Sequence, residues 1–184
     1  MSLSDEELVE KLKQGDEAAF EALYERYATN LLRHLVCLMT NQEEAEDMLH
    51  ESMMLMIKKI NFYTPRTELK NSFKSWLYRL STNRAIDEIR KRKTHTEIDL
   101  ENPALEDLHQ HELYEVKEKE FIISDMLLKL PLIQRMVLSL RVLDDLSYQE
   151  ISAICGKDIN TVKQGLFHAR RNMKDLLIKQ GELV

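Results

Sequence analysis

The sequence predicts an all-α protein: two small helical domains joined by an acidic linker, the second containing a helix-turn-helix. Three observations carry this. Only 4 Gly and 3 Pro occur in 184 residues, too few for the turns that sandwiches and barrels require. The residues AVILMFWYC make up 43%, enough to bury a real core at a length that suits one or two domains. Helix-start signals recur in front of apolar positions spaced three and four apart.

Ser4 with Glu7 is a capping box that opens a short helix toward Gln14, and Gly15 ends it. Asp16 starts a second helix that carries Phe20, Leu23, Tyr24, Tyr27, Leu31 and Leu32 at helical spacing. Asn41 with Glu44 starts a third, running to about Ile60. Residues 61–72 read as a loop in which Pro65 biases Thr64 away from helical geometry. A long helix follows from about Phe73 to Lys93, with apolar positions around most of its circumference, as expected of a helix central to its domain. Residues 94–120 are acidic, contain Pro103 and have weak periodicity, which marks a linker. Helical patterning resumes at Phe121, and Pro131 suits the first turn of a further helix. The predicted domains are therefore 1–93 and 121–184, with 94–120 between them.

Charge divides along the same boundaries. Residues 61–93 hold 9 bases and 3 acids, and 156–184 hold 6 and 3, whereas 1–60 hold 6 and 13 and 94–120 hold 2 and 9. A net charge of −6 argues against indiscriminate nucleic-acid binding. Two basic islands either side of an acidic stretch suggest two contact points on one polyanion, the competing reading being ordinary solvated surface. Cys37 and Cys155 lack metal-ligand or disulfide-framework spacing and read as structural thiols. No apolar run approaches the ~20 residues of a membrane span and the acidic N-terminus is not signal-like; the expectation is a soluble, cytoplasmic protein.

The most specific motif spans 146–173. Ser147 and Glu150 form a capping box for a helix ending near Cys155, Gly156 is free to turn left-handed, and Asp158 or Asn160 caps a second helix. Ile151, Ile154, Ile159, Val162 and Leu166 fall where two helices across a short turn must touch. At ~100° per residue, Val162, Leu166, Ala169 and Met173 share one stripe, and Asn160, Gln164, Phe167 and Arg171 point the opposite way. A polar, basic second helix behind a glycine turn is what enters a major groove. Gly165 interrupts that helix at ~1 kcal/mol relative to Ala, so the expectation is a packing role against the helix bearing Ile151 and Ile154.

Two further surfaces stand out. The stretch 74–93 mixes aromatics with cations. Trp76 and Tyr78 beside Phe62 and Tyr63 suggest a stacking platform for unpaired bases, joined by Asn83, Arg84 and a basic end of Arg90, Lys91, Arg92 and Lys93; for Trp76 alone, core packing is the stronger reading. On the helix from 42 to 60, Ala45, Met48, Leu49, Met53, Met56 and Ile60 form an apolar stripe. The opposite face holds Asp47, His50, Glu51 and Lys58 around Met54, a composition suited to a protein interface.

These residues resemble the bacterial RNA polymerase sigma factors of the extracytoplasmic-function type. Residues 16–27, 43–60, 73–93 and 130–163 follow that family's blocks in order across nearly the whole chain, and only the linker stands where larger members carry a middle domain. The resemblance implies a promoter-specificity subunit without catalytic activity or cofactor, partnered by core RNA polymerase, promoter DNA in duplex and melted form, and an anti-sigma factor. It implies that Asp47, His50, Glu51 and Met54 contact the polymerase, with His50 where a glutamine is usual. Trp76, Asn83, Arg84, Arg90, Lys91 and Arg92 would take the melted minus-ten element. Asn160, Thr161, Lys163, Gln164, Phe167, His168 and Arg171 would read the minus-thirty-five element, with Gln164-Gly165 and Phe167-His168 departing from the family's usual residues. The two elements lie about one and a half duplex turns apart, ~50 Å, and 27 linker residues reach ~90 Å when extended.

The competing readings are a conventional dimeric helix-turn-helix regulator, which leaves the Asp47 face unexplained, and a sigma mimic that sequesters an anti-sigma partner, which should have lost its basic residues. An enzyme is disfavoured, because His109-x-His111 is the only close histidine pair and nothing completes a site around it.

Overall fold

The computed structural model describes residues 3–39, 41–98 and 126–179, without side chains for 93–98. The first three helices begin where the capping residues require. In α1 (Asp5–Lys13) the Ser4 N–H donates to Glu7 Oε2 at 2.7 Å while the Glu7 N–H donates to Ser4 Oγ at 3.3 Å. The chain turns at Gly15, whose φ of +86° is left-handed. Asp16 then accepts the Ala18 and Ala19 N–H groups to start α2 (Glu17–Leu38). Asn41 does the same for α3 (Gln42–Lys59), which ends in a 3₁₀ turn at Ile60–Phe62.

The long helix α4 (Ser72–Ile98) continues past Lys93 through the first five residues of the expected linker. Neither Gly nor Pro occurs between Lys93 and Ile98, and extending a formed helix is far easier than starting one. The rest of that linker, with Pro103, His109 and His111, lies outside the described residues, as do residues 121–125 of the helix expected there.

After a helical turn at 126–128, Pro131 stands at the N-cap of α5 (Leu132–Val142) rather than in its first turn. The capping box of Ser147 and Glu150 then opens α6 (Tyr148–Cys155). Gly156 follows with φ +61°, and α7 (Ile159–Lys179) begins at Asp158, which accepts the Thr161 N–H at 2.9 Å. Of the two residues proposed as that cap, the aspartate has the role.

One continuous core joins these elements. α2 is covered by α1, α3, α4 and α5; α6 lies on α4; and α7 lies on α5 and α6. Leu23, Leu31 and Leu35 of α2, Phe73 and Leu77 of α4, Leu140 of α5 and Ile151 and Ile154 of α6 are all inaccessible to solvent, each contributing ~1.5–3 kcal/mol by burial. α4 is the central helix its all-round apolarity suggested, with Phe73, Leu77, Tyr78, Ser81, Thr82 and Ala85 buried.

Where α2, α4 and α5 meet, the buried group is polar. His34 Nδ1 lies 2.8 Å from Ser139 Oγ and Nε2 lies 3.0 Å from Thr82 Oγ1. The Ser139 hydroxyl donates to the Met136 carbonyl at 3.0 Å, so it accepts from Nδ1–H, and the Thr82 hydroxyl donates to Nε2. A neutral imidazole satisfies every partner, and burial pushes its pKa down to about 3.

Gly165 has a packing role, but against another helix than the expected one. A Cβ built there would stand 3.2 Å from Val137 Cγ2 on α5, not against Ile151 or Ile154. Val137 is fully buried and β-branched, with one favoured rotamer in a helix, so it yields poorly. Gly165→Ala should therefore lower the melting temperature by about 2–5 °C despite a propensity gain of ~1 kcal/mol. In a Val137→Ala background the same change should raise it. A rise in the wild-type background would show that the contact is soft.

Candidate nucleic-acid and protein interfaces

The second helix of the helix-turn-helix has the two-faced character that its sequence predicts. Val162, Leu166 and Ala169 are buried and Met173 half-buried, while Asn160, Lys163, Gln164, Phe167, His168 and Arg171 are exposed. Thr161 is half-buried, its hydroxyl donating to Asp158 at 2.6 Å, which ties it to the cap. Ile159, expected at the inter-helix contact, stands exposed on the first turn of α7 instead. Phe167 is 64% exposed with His168 edge-on to it at 5.5 Å, an apolar side chain held in solvent among cations.

Three residues outside those assigned to the minus-thirty-five element complete this face. Tyr148, in the first turn of α6, lines a shallow groove with Lys163, Phe167, Arg170, Arg171 and Lys174. Arg141 and Lys163 stand over the Tyr148 ring at 5.8 and 5.9 Å, contacts in which the ring face attracts each cation. No local sequence signal marked Tyr148, whose cation neighbours lie on two other helices. Arg170 and Lys174 carried none beyond their charge.

The aromatic platform is corrected. Tyr78 and Phe73 are fully buried and Tyr63 nearly so, and Trp76 is half-buried with its ring 5.2 Å from Tyr63 and 5.8 Å from Phe73. Tyr63, Phe73 and Tyr78 are core and Trp76 packs half-buried against them, the rings joined edge to face and tilted, as aromatic pairs prefer. Phe62 alone stands out, 84% exposed on the 3₁₀ turn. Burial pushes the Tyr78 phenol well above its usual range, with the neighbouring Asp144 carboxylate adding to it. Asn83 is exposed on α4.

The basic end of α4 lies against acids. Arg84 Nε donates to Glu51 Oε2 at 2.8 Å and its Nη1 lies 3.6 Å from Glu88. Arg92 pairs with Glu44 of α3 and with Glu88, while Arg90 and Lys91 pair loosely with Asp87 and Glu88 at 3.9 Å. Glu51 and Arg84, assigned from sequence to two different surfaces, are thus ion-pair partners across α3 and α4.

On α3 every residue of the predicted stripe is buried, together with Ser52. Asp47, His50, Glu51 and Lys58 are exposed on the other side, and Met54 among them is 55% exposed. Ile57 is also exposed and enlarges the apolar spot that Met54 forms.

The thiols of Cys37 and Cys155 are free, and burial pushes them up to about 11 and about 12, which suppresses the reactive thiolate. Among the described residues no helix is long and apolar enough to cross a membrane, and no group of His, Cys, Asp and Glu side chains could hold a metal ion.

Comparison with known proteins gives these surfaces a common context. Residues 23–95 match the family model "Sigma-70 region 2", and residues 120–173 match "Sigma-70, region 4". The ECF RNA polymerase sigma factor SigW of Bacillus subtilis is 27% identical over 96% of this chain and 98% of its own length. The ECF RNA polymerase sigma-E factor of Salmonella typhimurium is 30% identical over 91% of each. The fold matches that of the sigma factor RpoE in its complex with the anti-sigma factor NepR from Bartonella quintana. That match has a TM-score of 0.72 at 23% identity and covers 86% of this chain and 96% of that one. The chain belongs to the extracytoplasmic-function sigma factors of bacterial RNA polymerase.

Proposed function

We propose that the chain is a promoter-specificity subunit that binds core RNA polymerase and directs initiation, with a separate face for each contact. Residues 1–93 take the polymerase through Asp47, His50, Glu51 and Met54, and take the melted minus-ten strand through Trp76, Asn83, Arg84, Arg90, Lys91 and Arg92. Residues 121–184 read the minus-thirty-five duplex through Asn160, Thr161, Lys163, Gln164, Phe167, His168 and Arg171, with 94–120 as the connection. The observation that carries this reading is the exposed polar and aromatic face of α7, back to back with its buried stripe behind the left-handed Gly156. Sigma factors are non-enzymatic initiation factors, and this chain is assigned no catalytic step, no cofactor and a cytoplasmic location. An anti-sigma factor is a further partner, since the solved sigma factor it resembles was captured with one.

The corrected geometry sharpens the roles. Arg84 and Arg92 also brace α4 against α3, so removing them mixes folding with binding. Arg90 and Lys91 have the more exposed side chains, at 76% and 63%, and are better placed to meet a phosphate. Changing both to Gln should weaken promoter complexes of every sequence alike and lower the salt slope by about 1.4, roughly 0.7 per phosphate of a single strand. Gln164→Ala should instead shift the preferred minus-thirty-five sequence while leaving that slope unchanged. A changed preference with an unaltered slope in the Arg90 and Lys91 variant would mean that those residues read bases.

A further inference from the structure

The turn between α5 and α6 is tied to α7 through one aromatic ring. Asp145 takes φ +48°, a left-handed conformation that Asp tolerates better than most side chains. Arg141, in the last turn of α5, closes this turn: its Nη1 donates to the Leu146 carbonyl at 2.8 Å and lies 3.1 Å from Asp145 Oδ1. With its planar fork fixed there, the guanidinium carbon stands 5.8 Å from the centre of the Tyr148 ring. The Lys163 ammonium stands 5.9 Å from the same centre. A ring face carries partial negative charge, and both cations lie within the ~6 Å at which it attracts them. Arg141 on α5, Tyr148 on α6 and Lys163 on α7 thus form one chain of contacts across the helix-turn-helix.

This arrangement bears on how Lys163 reads. A lysine carries a compact charge on a flexible stem, and any nearby acceptor satisfies it. A free ammonium at a groove divides its time between base edges and phosphates, and phosphate contacts carry no sequence information. An ammonium held over a ring has lost most of those alternatives before DNA arrives, so less ordering remains to oppose the base contact. Lys163 is exposed on the same face as Gln164 and Phe167. Guanine, with its O6 and N7 acceptors side by side, is the base that such an ammonium favours.

We propose that Tyr148 is a positioning residue for base reading: its ring, braced by Arg141, aims the Lys163 ammonium at one base of the minus-thirty-five element. The inference rests on the assignment of that element to α7. The ring face does the positioning, and the hydroxyl is not required for it.

The test is selection from a randomised upstream element by the full chain with core RNA polymerase, with base preference compared position by position. Lys163→Ala identifies the position, as the one whose preference it flattens. Tyr148→Leu removes the ring and should lower preference there about two- to fivefold, the size of one cation–ring contact at an exposed site. The position that Gln164→Ala alters should keep its wild-type preference in that variant. Tyr148→Phe keeps the ring and should select as the wild type does. In a Lys163→Ala background, Tyr148→Leu should change preference no further. Tyr148 is 38% exposed, outside the buried core; circular dichroism checks folding, and Tyr148→Gln carries the test if the leucine variant loses helix. Equal losses in the phenylalanine and leucine variants would assign the role to the hydroxyl and overturn the proposal. Flattening at every position would make Tyr148 a general support of α7, and a further change in the Lys163→Ala background would mean that it acts through another residue; each overturns the proposal, as does an unaltered preference in Tyr148→Leu. A wild-type chain that selects no recurring upstream element overturns the promoter-specificity reading itself, and the proposal with it, before any variant is compared.

Discussion

Asp47→Arg combined with Met54→Glu is expected to reduce capture of core RNA polymerase at least about a hundredfold, the loss of ~2.7 kcal/mol that a pair of central interface residues carries. Both side chains project from the exposed face of α3, away from the stripe of Met48, Leu49, Met53 and Met56 that anchors the helix. The substitutions therefore leave core packing untouched, and the melting temperature should remain at the wild-type value. Met54 supplies exposed apolar area beside Ile57, and Asp47 sets the sign of the charge around it. Glu51 belongs to the same face but is a poor probe, because an arginine there would meet the Arg84 guanidinium that Glu51 now holds at 2.8 Å. Pull-down of core polymerase by the double variant at wild-type levels would remove this face from the mechanism.

Acid is expected to destabilise the protein through His34. Burial takes this imidazole from 6.5 to about 3 in the folded chain. Below pH ~6.5 the unfolded chain binds a proton that the folded chain refuses, so unfolding takes up a proton and stability falls as pH drops toward 3. The slope is at most ~1.4 kcal/mol per pH unit, or ~2 kcal/mol between pH 7 and pH 5. Protonation would turn Nε2 into a donor facing the Thr82 hydroxyl that now donates to it, which adds a local reason for the refusal. His34→Gln can still donate and accept once each; it should be ~1–3 kcal/mol less stable at pH 7 but lose less than the wild type between pH 7 and pH 5. Urea unfolding at pH 7, 6 and 5 reads both effects. Equal pH slopes in the two proteins would show that His34 is not the group responsible.

Much of this was legible because it is local. A capping residue acts within three positions, so Ser4, Asp16, Asn41 and Ser147 declared their helices. The stripe of α3 and the two faces of α7 follow from 3.6-residue periodicity, which needs no knowledge of what covers them.

What the sequence did not reveal depends on partners far along the chain. His34 sits in a helix whose apolar period says only that it faces inward, and its partners lie 48 and 105 residues away. The same applies to Asp144 and Glu150 against α4, at separations of 66 to 79 residues. Helical angle put Gly165 at a packed edge, but it could not say that Val137 rather than Ile151 lies across from it. Tyr78 was misjudged for a related reason: in a helix apolar all round, no angle separates a stacking surface from a core, and Tyr63 is buried from the loop before that helix.

In the candidate site, the exposure of the selected residues on α3 and α7 was legible and their pairings were not. Glu51 and Arg84 each stood out, yet nothing local indicates that one neutralises the other across two helices. The consequence is practical. Single substitutions at either position disturb the brace between α3 and α4 as well as any contact with polymerase or DNA, whereas Asp47, Met54 and Gln164 report on binding with less structural cost.

The measurement closest to the central claim is transcription from a randomised promoter library by core RNA polymerase, with and without the purified chain. With the chain present, transcripts should start downstream of one recurring pair of elements about one and a half duplex turns apart. Gln164→Ala should change only the upstream element. No recurring pair should emerge from core polymerase alone. If the chain instead selects palindromic duplexes as a free dimer and leaves the transcripts of core polymerase unchanged, the promoter-specificity account is wrong and a conventional helix-turn-helix regulator takes its place.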